Sequence, residues 1–258
     1  MNNLQKHFDI ILIGASLVGM SFLLALQELG LKILALEKEE LKIAENIAED
    51  QSRPITLSYG SVEQLKKLGV WENLTSQSTP ILQVLVSQRG HFGTTKFTAA
   101  EEKISALGSV VPFNALKNSL VEKVLPLSSV TWVFTDSFNI IQTDSNGVTL
   151  SYTSENKKTE TVSAELLVVA AGNNNALRQQ LNITTTQQNH DQVAITAQVF
   201  FEAEHHDTGY ERFNAPGILA LLPMKNQNQC GLVWTVKKDS EIASNPSNEF
   251  LSSEIQLW

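Results

Sequence analysis

Cysteine is almost missing from this chain: Cys230 is the single one among 258 residues. One thiol excludes a disulfide within the chain and any zinc site built from several cysteines. Histidine is scarce too. The five are His7, His91, His190, His205 and His206, and no pair has the helical spacing of metal ligands. The adjacent His205-His206, in Glu-His-His-Asp, reads as a solvated loop rather than a metal site. Positive charge is short: 19 Lys and Arg stand against 27 Asp and Glu, for a net charge of −8. That balance disfavours a nucleic-acid partner. No apolar stretch approaches the length needed to span a bilayer. No secretory leader is expected, since the first eight residues are mostly polar and the apolar run after them is short and broken by glycine. A cytoplasmic protein is expected. Internal repeats are lacking, and the Asn/Gln-rich stretches 173–189 and 225–229 read as polar loops.

What is present is an ordinary globular composition, 42% hydrophobic and 18% charged, in a chain long enough for one large domain or two modest ones. The most informative segment comes first. Residues 9–14 are Asp-Ile-Ile-Leu-Ile-Gly, followed by Ala15-Ser16-Leu17-Val18-Gly19, an apolar helix-like run, and a second apolar strand ending on Glu37. Strand, glycine turn, helix and strand make a nucleotide-binding βαβ unit. Gly14 suits the tight turn out of the first strand, and Gly19 suits close packing of helix on sheet. Glu37, 23 residues after Gly14, is placed to accept hydrogen bonds from a ribose. Phosphates are expected at the helix N-terminus, where unpaired N–H groups and the macrodipole favour negative charge. Ser16 stands where the middle glycine of the fingerprint belongs. The plainer alternative is a βαβ unit that binds nothing.

The remaining organisation is mixed α/β. Residues 8–14 and 32–37 read as buried parallel strands. Residues 18–30 read as a helix, with Val18, Phe22, Leu26 and Leu29 at helical spacing and Gly30 closing it. A short helix is expected over 61–69, capped by Ser61 and ended by Gly69, and another over 114–124. Strands are expected at 82–87 and 94–98 around a turn at 88–90. Several more follow between 130 and 170, with Leu166 to Ala171 a third buried strand before Gly172. Residues 193–203, 218–222 and 230–236 read as a second, antiparallel sheet. One continuous domain with insertions is the alternative to a nucleotide-binding domain interrupted by a sheet-rich one.

A resemblance covers the chain from about Phe8 onward. Ser52-Arg53-Pro54-Ile55-Thr56-Leu57-Ser58-Tyr59-Gly60-Ser61, running on to Leu68-Gly69-Val70-Trp71, resembles a block of the FAD-dependent aromatic-ring hydroxylases. Val86-Ser87-Gln88-Arg89-Gly90-His91-Phe92-Gly93, Tyr210-Glu211-Arg212-Phe213, Leu219 to Met224 and Leu232-Val233-Trp234 are similar to blocks of its ubiquinone-biosynthesis branch, the 2-polyprenyl-6-methoxyphenol hydroxylases. The resemblance implies a fold of the para-hydroxybenzoate hydroxylase type, α/β with a Rossmann-like FAD-binding domain and an antiparallel-sheet substrate domain. Residues 1–75 and 105–182 would form the first, incomplete at its C-terminus, and 76–104 with 183–258 the second. It implies an FAD-dependent NAD(P)H:oxygen monooxygenase acting on a polyprenylated phenol, with FAD and NAD(P)H as cofactors. A complex of ubiquinone-biosynthesis proteins and a peripheral membrane contact are the partners that go with it.

Carried over position by position, Gly14, Ala15, Ser16 and Gly19 hold the pyrophosphate turn, Glu37 the ribose, and Arg53 the flavin and its phosphates. Asn114 falls at a polar FAD contact, with a helix cap as the alternative. A surface ion pair with Glu45, Glu49 or Asp50 is the alternative for Arg53. Ala171-Gly172 stands where the family has Asp-Gly, so Gly172 keeps its place while the carboxylate is lost. No catalytic acid or base stands out, and no metal is expected. The family's later Gly-Asp-Ala block is not found before Leu257-Trp258, so a truncated chain is expected. Two rivals remain: a non-catalytic relic or binding subunit of the family, and a nicotinamide-only dehydrogenase.

Overall fold

The computed structural model describes residues 6–44, 53–154, 156–214, 217–244, 247, 249 and 252–253. In chain order the elements open with β1 (Lys6–Ile13), α1 (Leu17–Leu26), β2 (Ile33–Glu37), β3 (Pro54–Ser58) and α2 (Tyr59–Lys67). A 3₁₀ stretch over Trp71–Gln77 leads to β4 (Thr79–Ile81), β5 (Gln83–Gln88), β6 (Thr94–Thr98), β7 (Gly108–Pro112) and α3 (Phe113–Val124). Then come β8 (Val130–Phe134), β9 (Phe138–Asp144), β10 (Gly147–Thr153), β11 (Thr159–Val169) and α4 (Asn175–Gln180). The last are β12 (Gln192–Phe200), β13 (Thr208–Asn214), β14 (Gly217–Pro223), β15 (Gln229–Lys237) and α5 (Glu241–Ser244).

Contacts divide the chain into two compact units, each discontinuous: residues 1–45 with 116–186, and 46–115 with 187–258. The first holds a six-stranded sheet in the order β8-β2-β1-β11-β10-β9. Its centre is parallel: β1 lies between β2 and β11, with Ile10 opposite Ile33 and Leu166. β10 joins β11 antiparallel, Val148 opposite Ala164. One core fills between these parts, built on Ile11, Ile13, Leu34, Leu36, Leu150 and Val162. On α1 the buried residues are Gly19, Met20, Leu23 and Leu24. The stripe read from periodicity is therefore rotated, since Val18 is 69% exposed, and the helix ends at Leu26 with Gln27 as its cap, before Leu29 and Gly30 are reached. The third strand is only partly buried, since Leu166 is 51% exposed.

The second unit carries two sheets. The larger, β12-β15-β14-β13-β5-β6, includes the expected antiparallel strands, with Trp234 fully buried between Leu219 and Ile195 in register. The smaller is β3-β7-β4. The cap of α2 is Ser58, not Ser61: the Ser58 hydroxyl accepts the Ser61 N–H, and the helix starts two residues before the expected cap. The polar stretch 173–189 is not all loop. Asn174 accepts the Leu177 N–H and so nucleates α4, a cap strong enough to start a short helix without apolar periodicity.

Candidate cofactor site

The turn from β1 into α1 is built around two backbone collisions that only glycine avoids. Gly14 has φ +94°, and a Cβ there would lie 2.7 Å from the carbonyl oxygen of Ala170. A Cβ on Gly19 would lie 2.0 Å from the carbonyl oxygen of Gly14. The first turn of α1 therefore seats directly on the loop, and the loop directly on the end of β11. Ser16 is the N-cap of α1 in extended geometry (φ −76°), and its side chain makes no capping bond. Its hydroxyl is exposed and lines a cavity of about 410 Å³.

Glu37 ends β2 opposite this turn. One carboxylate oxygen accepts the N–H of buried Ala15, and the other accepts the Lys38 N–H at 2.8 Å. A carboxylate has roughly four lone-pair positions. Two backbone donors fix its orientation and leave acceptor capacity toward the cavity. Gly14, Ser16, Glu37 and Gly172 all line that cavity, with Ala15 and Gly19 directly behind it. Gly172 has φ +59° and open space at its Cβ position. Its carbonyl accepts the Arg178 guanidinium at 2.8 Å, and Arg178 also bonds the side chains of Asn173 and Asn175. Arg178 thus braces the loop that carries Ala171 and Gly172.

Sequence reading missed Lys38, Thr135, Asp136, Phe138 and Asn174, which complete the cavity wall. Thr135 and Asp136 could have been found only by knowing that β8 lies next to β2: the Thr135 N–H bonds the Glu37 carbonyl at 2.7 Å. Asn174 did carry a signal, the Asn before a helix.

Arg53 and Asn114 belong to the other unit. The Arg53 guanidinium sits 5.3 Å from the centre of the Phe113 ring, and its carbonyl accepts the Phe113 N–H. Such a cation–π contact holds the planar group flat. Asn114 follows in the first turn of α3. Glu45, Glu49 and Asp50, the alternative partners of Arg53, lie outside the described residues. The same unit contains a second cavity, about 330 Å³, between Pro54, Val110, Val111 and Pro112 on one side and Phe200, Met224 and Gln229 on the other. Its wall at Met224 is pinned by His205, which is 4% exposed and not the solvated residue expected. His205 Nε2 donates to the Met224 carbonyl at 2.8 Å, and Nδ1 accepts the Asp207 N–H at 3.0 Å. Two opposed bonds satisfy both ring nitrogens, so burial costs little.

Among the described residues no group of His, Cys, Asp and Glu could hold a metal ion, and no helix is long and apolar enough to cross a membrane.

A family model described as an FAD binding domain matches residues 7–257. The chain is 26% identical to the ubiquinone hydroxylase UbiL of Rhodospirillum rubrum, over 91% of this chain and 53% of that protein. It is 27% identical to the 3-demethoxyubiquinol 3-hydroxylase of Escherichia coli, over 88% of this chain and 56% of that one. The chain thus spans about half the length of these curated relatives. A solved structure, the p-nitrophenol 4-monooxygenase PnpA of Pseudomonas putida, superposes with a TM-score of 0.70 at 13% identity, over 93% of this chain and 60% of that one. The fold is of the para-hydroxybenzoate hydroxylase type.

Proposed function

The chain belongs to the FAD binding domain family, and from that premise we propose that it forms the FAD-holding and substrate-walling part of a flavin monooxygenase acting on a polyprenylated phenol of ubiquinone biosynthesis. The residues present fit the adenosine-diphosphate half of FAD. Glycine at 14 and 19 leaves the turn without a side chain, the cavity is of ligand size, and Glu37 is already oriented by two backbone donors. That pre-set Glu37 is the observation carrying the reading.

The roles follow from the geometry. Glu37 accepts the ribose hydroxyls. The first N–H groups of α1 meet the pyrophosphate, which passes close to the Ser16 side chain. Gly172, held by Arg178, keeps the far rim of the cavity open. The Arg53 guanidinium, planar by its own resonance and stacked on Phe113, presents a fork that suits a phosphate oxygen. When bound and reduced by NAD(P)H, FAD supplies the oxygen chemistry; the chain supplies orientation and exclusion of water. The 330 Å³ cavity takes the phenol ring. Its apolar walls at Val110, Phe200 and Met224 exclude water, while Thr79, Asn226 and Gln229 offer polar groups to a hydroxyl or methoxy oxygen. The cytoplasm is the proposed compartment.

The test begins with the absorption spectrum of the purified protein and a titration with FAD. Wild type should bind flavin, and Glu37→Gln should bind it about tenfold more weakly, because a neutral amide is a poorer ribose acceptor. A short-tailed 2-methoxyphenol, followed by mass spectrometry with FAD and NAD(P)H present, tests turnover. Bound flavin with hydroxylated product would support the hydroxylase reading, and absence of bound flavin would support the non-catalytic relic or binding subunit.

A further inference from the structure

The cavity of about 330 Å³ lies between the β3-β7-β4 sheet and the β12–β15 edge of the larger sheet. Gly231 lets those sheets meet. A Cβ there would lie 2.6 Å from the Pro54 ring, so β15 comes against β3 only because residue 231 has no side chain. Alternate residues of a strand share a face. Gln229, two positions before Gly231, therefore points the same way, and it lines the cavity. Its backbone is held on both sides: the N–H donates to the Asn226 carbonyl at 2.9 Å, and the carbonyl accepts the Met224 N–H at 3.1 Å.

Each wall sets one polar side chain beside one apolar one. Thr79 on β4 stands opposite Val110 on β7, and Gln229 on β15 stands opposite Phe200 on β12. All four line the cavity. Thr79 and Gln229 are each only 5% exposed, and a polar group so deeply set is normally paired, because leaving it unpaired costs free energy. The Gln229 amide N–H donates to the Gln198 side-chain oxygen at 3.0 Å, which turns its own carbonyl oxygen the other way. Among the described residues that oxygen has no donor and the Thr79 hydroxyl no partner, and neither is sealed inside protein. Asn226 differs, since its side-chain oxygen already accepts the Asn228 N–H at 3.1 Å. No Asp or Glu lines the cavity among the described residues, so a ring hydroxyl meets a neutral acceptor there.

We propose that Gln229 and Thr79 set the specificity of this cavity, which takes a neutral aromatic ring bearing a free hydroxyl and an ether oxygen. The Gln229 carbonyl accepts the ring hydroxyl, and the Thr79 hydroxyl donates to the ether. Val110 and Phe200 hold the ring itself. A ring whose hydroxyl is methylated leaves the Gln229 oxygen buried and unpaired. A site built for a hydroxyl rejects such an analogue more strongly than apolar fit alone could. The proposal rests on the phenol reading of this cavity and adds to it the two groups that choose among phenols.

The test is calorimetric titration of the full chain, with saturating FAD and again without flavin. The probes each carry one prenyl unit: a 2-methoxyphenol, its methyl ether, and the phenol lacking the methoxy group. Wild type should bind the methoxyphenol about tenfold more tightly than its methyl ether, and about threefold more tightly than the plain phenol. Gln229→Met keeps the length of the side chain and should reduce the first preference to about twofold or less, leaving the second in place. Thr79→Val keeps the shape and should remove the second preference while leaving the first. Thermal unfolding checks that both variants fold. Equal binding of the methoxyphenol and its methyl ether by wild type would overturn the proposal, as would no binding of any probe. Variants that weaken all the probes alike would reduce both residues to a structural role and refute it. Turnover is judged separately: the expected preferences without hydroxylated product would leave this assignment standing and count against the monooxygenase reading.

Discussion

Replacing Gly19 by alanine sets two effects of opposite sign against each other. Alanine is the better helix former, and removing a glycine restricts the unfolded chain, together worth about 1 kcal/mol in favour of the variant. Against this, the new Cβ would sit 2.0 Å from the Gly14 carbonyl oxygen, where ordinary contact begins near 3.4 Å. The neighbour is backbone, so no side chain can rotate away. The loop cannot retreat either, because a Cβ on Gly14 would itself be 2.7 Å from the Ala170 carbonyl, so little slack lies behind it. Overpacking of this kind costs about 3 kcal/mol. The net expectation is a loss of about 2 kcal/mol, and a displaced turn that binds FAD at least tenfold more weakly. Gly30→Ala is the control. Its φ is +67° with nothing within 4 Å of the added atom, so it carries only the left-handed penalty of about 1–2 kcal/mol, less the chain-entropy gain, and should leave flavin affinity unchanged. Urea unfolding followed by circular dichroism, with FAD titrations on both variants, reads the difference. If Gly19→Ala is as stable as wild type and binds FAD equally, the packing argument for the whole turn is wrong.

Ser16→Gly should tighten FAD binding, because Ser16 makes no capping bond that the helix would miss and its side chain stands in the cavity; equal or weaker affinity in an FAD titration would mean that the hydroxyl itself bonds phosphate. Tyr152 should make the protein alkali-sensitive. Burial, then the nearby Glu160 carboxylate, pushes its phenol up to about 12 from the usual 10. A raised phenol stabilises the fold below pH 10, and that contribution is lost as pH climbs from 10 toward 12; thermal unfolding across this window should show the fall in wild type and a smaller one in Tyr152→Phe. Cys230 is 2% exposed and burial raises its thiol to about 11, so an aromatic disulfide reagent at neutral pH should find no thiol in the folded protein and one after denaturation.

The glycine turn was legible because its cause is local. A positive φ and a helix seated on backbone demand glycine whatever the rest of the chain does, and Glu37 marks the end of the adjacent strand. Wherever partners are distant in sequence, reading failed. Thr135 and Asp136 reach the cavity only through the pairing of β8 with β2. The β3-β7-β4 sheet escaped notice because β4 has three residues and pairs with a strand some thirty positions away. Val18 misleads because α1 is apolar nearly all round, so its period does not say which side is covered, and Leu29 because the helix has already ended at Leu26. His205 looks solvated in a polar tetrapeptide, and only the fold supplies the Met224 carbonyl that lets it be buried.

The position of β11 has a consequence for how the molecule is made. β1 needs β11 as its second neighbour, with Phe8 opposite Ala164, yet the segment 46–115 of the other unit is synthesised in between. The N-terminal strand therefore waits, with one edge open, until the ribosome has passed residue 169. By then half of the second unit has emerged without its partner segment 187–258. Neither unit can close before most of the chain exists, and pairing across so long a loop is slow. Such a nascent chain shows unpaired strand edges for most of its synthesis, the condition under which chains pair wrongly with one another.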